Sequence, residues 1–260
     1  MSTTLPGTAV ILAAGQGQRL RSELSDRPKG FLQLGQRPII EESILRLLAT
    51  GIGDILIVTG YLADHYEALA RAYPGRLRTV HNPQFAASGS MYSLYCAREL
   101  VEGPFLLLES DLIYEPRALR LLLDGPAEDA ILVSGPTGAG DEVYVEAPGG
   151  RLHAMSKDRA QLGAAVLGEL VGISRISAAL FALMQRIAAE AFTRSLRFDY
   201  ETDCLVAAAR ERPIHCLLAE GLLWGEIDDP SQLQRARGGL HARIAALDAG
   251  VHPGVAPCDH

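Results

Sequence analysis

Three stretches of this 260-residue chain combine residue types able to hold a phosphorylated ligand. The first is Leu12-Ala13-Ala14-Gly15-Gln16-Gly17-Gln18-Arg19-Leu20, at the end of the apolar run Thr8 to Ala14. Small residues after a buried strand let backbone N–H groups approach a phosphate, and Arg19 would add charge-assisted hydrogen bonds. A dinucleotide fingerprint would need a third glycine where Leu20 stands, and a Walker loop would need Gly-Lys-Ser/Thr, which is absent. The glycines alone fit a structural turn as well as a ligand loop; Pro28-Lys29, a rigid turn presenting a lysine, tilts the balance. The second stretch is the apolar run Pro104 to Glu109 leading into Asp111, at the strand end where open α/β sheets bind ligands. The alternative reading of Asp111 is the N-cap of a helix at 115–123. The third is Leu223 to Asp228, in which the period of a strand puts Trp224, Glu226 and Asp228 on one face. Asp228, like Asp229, could instead cap a helix opening at Pro230.

Alternating elements must carry these residues. Short apolar strands are predicted at 8–14, 54–59, 78–81, 104–109 and 129–134, separated by helices at 39–49, 62–73, 91–100 (with Ser90 as N-cap) and 115–123. This βαβα order predicts a doubly wound, mostly parallel α/β sheet with right-handed crossovers. Downstream the pattern changes. A hairpin at 142–155 turns on Pro148-Gly149-Gly150, a strand follows at 166–173, and helices are predicted at 177–193, 200–210 and 230–247 with strands at 214–218 and 223–228. No Pro/Ser-rich linker divides the chain. We expect one domain over 1–248, its core at 8–135 and 196–248 and a small β-rich lid or insert at 136–195, followed by a loose tail from Ala249.

Composition narrows the partners. The apolar fraction is 48% and the net charge −7, which argues against binding nucleic acid or membrane through bulk positive charge. The N-terminus lacks a leader pattern and no run approaches the ~18 apolar residues of a membrane span, so a cytoplasmic protein is the expectation. The four cysteines are widely spaced and read as reduced, mostly buried thiols; the histidines show no metal-ligand spacing. Of 24 basic residues, only Lys29 and Lys157 are lysines.

Leu-Ala-Ala-Gly-x-Gly-x-Arg-Leu followed by Pro-Lys resembles the signature of the sugar-nucleotide-type nucleotidyltransferases. Further motifs resemble the branch containing the phosphocholine and 2-aminoethylphosphonate cytidylyltransferases. These are Asn82-Pro83-x-Phe85 leading to Ser88-Gly89-Ser90-x-x-Ser93-Leu94, Glu109-Ser110-Asp111-Leu112, Lys157 after a hairpin, Gly168-Glu169-x-Val-Gly172, and Trp224-x-Glu226-Ile227-Asp228. The ordered matches span about 8 to 232. The resemblance implies a Rossmann-like nucleotidyltransferase sheet and transfer of CMP from CTP to a small phosphonate or phosphate acceptor, with Mg²⁺ held by Asp111 and Asp228. It also implies a nucleotide site built from Leu12, Ala13, Ala14, Gly15, Gly17, Arg19 and Lys29, with Asn82, Ser88, Gly89 and Ser90 beside it. Arg19 would clamp the β and γ phosphates, Lys29 would neutralise charge near the transferred group, and Lys157 would hold the acceptor phosphate or the α-phosphate.

The acceptor is read from side-chain chemistry. A quaternary ammonium favours aromatic rings, for which Tyr114, Tyr144, Phe198, Tyr200 and Trp224 are candidates; a primary amine favours carboxylates, here Asp141, Glu142, Glu169, Asp199, Glu201 and Glu226. The stretch Gly140 to Val145 looks more like the aminoethylphosphonate enzymes, so 2-aminoethylphosphonate is the expected acceptor and phosphocholine the next. A uridylyl- or guanylyltransferase acting on a sugar 1-phosphate, and a non-catalytic nucleotide-binding regulator, are the rival readings. No nucleic-acid or membrane partner is expected, and a homodimer stays open. Residues 19–29 carry Arg19, Arg21, Arg27 and Lys29 against Glu23 and Asp26, so positive charge is local where a polyanion would sit.

Overall fold

The computed structural model describes residues 5–24 and 26–248. Ser25, the tail from Ala249 and Cys258 lie outside the described residues. In chain order the elements are β1 (Thr8–Ala13), a helical turn α1 (Arg21–Leu24), α2 (Ile39–Ala49), β2 (Asp54–Thr59), α3 (Ala63–Ala72), β3 (Leu77–His81), α4 (Ser90–Cys96), β4 (Phe105–Glu109), β5 (Leu112–Tyr114), α5 (Arg117–Asp124) and β6 (Ala130–Ser134). The second half adds β7 (Tyr144–Glu146), β8 (Ala154–Ser156), β9 (Val166–Ile176), α6 (Ala178–Phe192), α7 (Val206–Ala209), β10 (His215–Ala219), β11 (Trp224–Glu226), α8 (Pro230–Arg235) and α9 (His241–Asp248).

Continuous apolar runs build a sheet buried on both faces. Alternate residues of each central strand point opposite ways. Val10, Leu12, Leu56, Val58, Phe105 and Leu107 enter one core with Met91 and Leu94 of α4 and Leu180 and Met184 of α6. Ala9, Ile11, Ile55, Ile57, Leu106 and Leu108 enter the other, against Ile40, Ile44 and Leu47 of α2 and Leu119 and Leu122 of α5. The strand order is β10-β6-β9-β4-β1-β2-β3. β1 pairs in parallel with β2 and β4, while β9 runs antiparallel between β4 and β6. The expected mostly parallel, doubly wound sheet is what the chain forms.

Within 136–195, β7 and β8 form an antiparallel hairpin joined to the sheet through β7, which pairs with β9, and β9 runs through the main sheet. Four local expectations are corrected. The strand β5 was not foreseen; it pairs antiparallel with β11 in a separate two-stranded sheet. Ser90 is the first residue of α4 rather than its cap, because its hydroxyl is engaged across the chain with Asp199 and Glu201. The helix foreseen at 200–210 opens with a wider π turn over Tyr200–Leu205 before α7. The closing helix is interrupted at Gly238-Gly239, where Gly239 takes φ +129°, so α8 and α9 are separate. α9 is tied back by Asp248, which pairs with the buried Arg46 guanidinium of α2.

Candidate active site

The C-terminal ends of β1, β2 and β4 lie on one edge, with Leu12 opposite both Val58 and Glu109. The loop after β1 opens there. Gly15, Gln16 and Gly17 give no backbone N–H to any hydrogen bond among the described residues. A side chain at Gly15 would meet nothing within 4 Å. Free donors on an open loop form the cradle that an anionic oxygen needs. Gly17 has a different reason to lack a side chain: its φ is +57°, and an added Cβ would lie 2.7 Å from Lys29 Cγ. The lysine stem packs against it.

Lys29 lies between Asp111 and Asp228, in contact with both, although Asp228 is 199 residues away in sequence. Arg19 reaches the same Asp228 from solvent at 2.7 Å. The pairing of β5 with β11 makes this possible: Trp224 stands opposite Tyr114 and Glu226 opposite Leu112, and the Ile227 N–H donates to the Asp111 carbonyl. Burial works against the Lys29 ammonium, but the two aspartates outweigh it and raise its pKa. Asp228 is penalised by burial yet held below the ordinary carboxylate range by Lys29 and Arg19. Burial raises Asp111 despite Lys29.

Two further acids complete the cluster. Carboxylate oxygens of Glu109, Asp111 and Glu226 lie within 4.8 Å of one another. Burial, then Glu201, pushes Glu109 well up; burial, then Asp111 and Asp228, does the same to Glu226. Four carboxyl groups thus converge on two cations, and like charges in a low-dielectric site keep protons where a cation is lacking. The buried Oδ1 of Asp111 has no hydrogen-bond partner. An orphaned oxygen within a ring of crowded acids suits a divalent ion of the Mg²⁺ class, which takes oxygen ligands.

Two clefts meet at this cluster, and Glu109 lines both. One, of about 640 Å³, is walled by Leu12, Ala14, Gly15, Lys29, Ser88, Gly89, Ser90 and Asp111. The other, of about 720 Å³, is walled by Asp141, Glu142, Glu201, Trp224, Glu226 and Arg235 among others. Ala13 is a buried residue of β1, and Gly17 lies behind the Lys29 stem. Gly89 is required by a close approach: an added Cβ would come within 2.6 Å of the Phe198 carbonyl oxygen.

Most of the other residues proposed from the sequence are engaged within the fold, two of them, Glu142 and Trp224, while lining the second cleft. Tyr114 is fully buried in the core, its hydroxyl 2.7 Å from Ser43 Oγ and its ring under the Arg46 guanidinium, so it does not reach the second cleft. Glu169 is buried and accepts the Thr137 N–H, anchoring the loop after β6. Glu142 accepts the Gly140 N–H within that loop. Asp199 accepts from Ser90 N–H. Lys157 is exposed just after β8 and forms no ion pair among the described residues. Trp224 donates Nε1–H to Ser134 Oγ at 2.8 Å.

Asn82 is fully buried, and its amide is consumed by the loop itself. Nδ2 donates to Ser88 Oγ and Ser93 Oγ at 3.0 Å each, and Oδ1 accepts the Gln84 N–H. Its placement is that of a loop scaffold. Asn82→Ala is expected to cost about 1–3 kcal/mol in urea unfolding, because buried partners lose their bonds; a change below ~0.5 kcal/mol would show that these bonds do not hold the loop. Two contributors were missed in the sequence. Glu109 was visible as the single charge ending an all-apolar strand; Tyr66, whose hydroxyl meets Ser110 and Gly30 beneath Lys29, left no such signal.

A family profile for the MobA-like NTP transferase domain matches residues 9–161. The chain belongs to this family. As a MobA-like NTP transferase it is 30% identical over 249 residues to the CMP-5'-(3-aminopropyl)phosphonate synthase of Streptomyces rubellomurinus, covering 89% of this chain and 38% of that protein. It is 39% identical over 99 residues to the choline-phosphate cytidylyltransferase of Streptococcus pneumoniae, covering 38% of this chain and 42% of that protein. These matches therefore span less than half of either relative. The inositol-1-phosphate CTP transferase from T. maritima has the same fold, with a TM-score of 0.79 at 21% identity over 98% of this chain and 100% of that one. No helix among the described residues of this MobA-like protein is long and apolar enough to cross a membrane.

A divalent cation held by this carboxylate cluster would compete with protons for the same oxygens. Glu109 and Glu226 have raised pKa values in the fold, so their contribution to stability is full below the ordinary carboxylate value of about 4.3 and is lost as pH rises through the raised values. Binding a cation there must displace protons, so its affinity rises with pH, by up to about tenfold per unit for each proton released. The thermal shift produced by Mg²⁺ is expected to grow between pH 5.5 and 8 and to vanish in Asp111→Asn. A shift independent of pH in differential scanning fluorimetry would place the ion elsewhere.

Proposed function

We propose that this chain is a Mg²⁺-dependent cytidylyltransferase that transfers CMP from CTP to a small amine-bearing phosphonate, 2-aminoethylphosphonate fitting best. One observation carries this reading: two clefts, one opening on the glycine loop and one lined by five carboxyl groups, meet at the junction of Lys29, Asp111 and Asp228. The first, with its open glycine loop and the 88–90 loop opposite, suits a nucleoside triphosphate. The second is rich in carboxyl groups and suits a cationic amine.

An acceptor phosphonate oxygen is already anionic near pH 7, so attack on the α-phosphorus needs no general base; the leaving pyrophosphate takes the bonding electrons. Positioning and charge neutralisation are what the protein must supply. In this reading Asp111 and Asp228, with Glu109 and Glu226 adjoining, hold Mg²⁺, which supplies charge neutralisation at the phosphates. Arg19 orients the β and γ phosphates and Lys29 the transferred group. Lys157 is assigned to the acceptor anion from the hairpin. The backbone of Ala13 and the 88–90 loop line the base, whose exocyclic amine seeks acceptors.

Trp224 is the single aromatic residue among the described residues lining the second cleft, against Glu109, Asp141, Glu142, Glu201 and Glu226. Carboxylates solvate a primary ammonium by hydrogen bonds, whereas a quaternary one wants a cage of rings. Similarity to an aminopropylphosphonate synthase supports the same choice. The match to a choline-phosphate cytidylyltransferase favours phosphocholine as the second reading. Purified protein with Mg²⁺ should release pyrophosphate fastest from CTP plus 2-aminoethylphosphonate, at least about tenfold over phosphocholine or over UTP with glucose 1-phosphate; each tenfold is ~1.4 kcal/mol of discrimination. Preference for phosphocholine would overturn the amine assignment, and binding of CTP without turnover of any acceptor would overturn the catalytic one.

A further inference from the structure

The wall between the two clefts is crossed at Ser90. Ser90 lines the first cleft, and its hydroxyl touches three groups at the start of the π turn and its cap. Ser90 Oγ accepts the Tyr200 N–H at 2.9 Å and lies 3.2 Å from both Asp199 Oδ1 and Glu201 Oε2. A serine hydroxyl owns one proton. It satisfies one of these two carboxylates at a time, and the equal distances leave the choice to whatever else acts on the loop. Asp199 has a second donor in the Ser90 N–H, whereas Glu201 faces the second cleft and is hydrogen-bonded to Glu109. π turns of this kind recur at functional sites.

We infer that Ser90 is a positioning residue that couples the clefts: a nucleotide seated against the 88–90 loop turns the hydroxyl proton to Glu201 and fixes that carboxyl for the acceptor. The inference rests on the reading above that the first cleft takes nucleotide and the second the acceptor. Ser90 has two alternative hydrogen-bonded arrangements, and each ligand biases the same choice, which is what coupling between sites requires. Reciprocity follows, so acceptor must tighten nucleotide by the factor that nucleotide tightens acceptor. Three backbone N–H donors hold the segments together without the hydroxyl: Gly89 to the Leu196 carbonyl, Met91 to the Phe198 carbonyl, and Ser90 to the Asp199 carboxylate. Removing the hydroxyl therefore tests communication more than docking.

The test uses calorimetry with α,β-methylene-CTP, which cannot transfer CMP, and 2-aminoethylphosphonate in the presence of Mg²⁺. In the native chain the analogue should tighten the phosphonate at least about fivefold. Ser90→Ala should bind the analogue yet reduce that ratio to one, and Ser90→Thr, which keeps a hydroxyl, should restore it. In turnover Ser90→Ala should raise the acceptor KM more than the CTP KM. Glu201→Ala removes the other end of the bond and should also bring the ratio to one, whatever it does to acceptor affinity itself. A native ratio of one with both ligands bound, or a ratio that survives Ser90→Ala or Glu201→Ala, overturns the coupling and leaves the cytidylyltransferase reading standing. Failure of the native chain to bind the analogue overturns that reading, and the coupling with it.

Discussion

Replacing Asp111 with asparagine should abolish nucleotidyl transfer, with kcat falling at least about 10³-fold, while the melting temperature holds or rises. The two halves of this expectation have one cause. Asp111 is 3% exposed, its Oδ1 has no hydrogen-bond partner, and Glu109, Glu226 and Asp228 crowd it. Electrostatic stabilisation by a metal or a fixed donor is worth several kcal/mol in such a site, and loss of one element of it costs roughly 10²–10³ or more. The same crowding is unfavourable to the fold, so asparagine, equal in size and uncharged, relieves repulsion. Lys29 keeps Asp228 as its partner and is not stranded. Pyrophosphate release under saturating CTP and acceptor, set beside a thermal melt without divalent ions, measures both halves. Activity within tenfold of the native chain would remove Asp111 from the machinery, and a large drop in melting temperature would show it to be a structural anchor instead.

Lys29→Arg should cost about 10²-fold in kcat although the charge is kept. The lysine stem runs against Gly17, where an added Cβ would lie 2.7 Å from Lys29 Cγ, and its ammonium sits between two aspartates. A guanidinium is planar and broad, offers its donors as a fork, and cannot follow a single oxygen as a compact ammonium does. It would engage Asp111 and Asp228 bidentately and hold them away from a metal. Gly17→Ala should reproduce part of the defect without touching the charge, by pushing the stem aside and straining a φ of +57°. Single-turnover rates with preformed nucleotide complex separate this loss from weaker binding. An unchanged rate for Lys29→Arg would mean that position, and not the kind of cation, is what the site needs.

Much of this is legible in the sequence. Continuous apolar runs such as Ala9 to Ala13 and Phe105 to Leu108 have no polar side, and only a strand covered on both faces can use them. Lys29, Asp111 and Asp228 stood out because a rare lysine and two strand-end aspartates are conspicuous against apolar or arginine-rich surroundings, and the fold brings all three together. What failed was parity and pairing. β5 is three residues long, too short for alternation to announce itself, so nothing told which way Tyr114 pointed; it points into the core. Asn82 had the right neighbours for a ligand loop but spends its amide on Ser88, Ser93 and Gln84, a fact set by loop closure rather than by spacing. The grouping of Glu109 with Glu201 needed the π turn, which no periodicity encodes.

The short ladder between β5 and β11 bears on the order in which the molecule becomes competent. Asp111 is made before the midpoint of the chain, but Glu226 and Asp228 reach it only through three residue pairs and the Ile227 N–H bond to the Asp111 carbonyl. Contacts this remote in sequence form late, because loop closure must precede any gain from them. During synthesis the parallel core of β1 to β4 can therefore collapse around its apolar strands while the charged centre is still incomplete. Chains released short of residue 224 would fold in part and lack two of the four carboxyl groups of that centre. Among the described strands β11 is made last, so the charged centre is assembled only on molecules whose synthesis has passed Asp228.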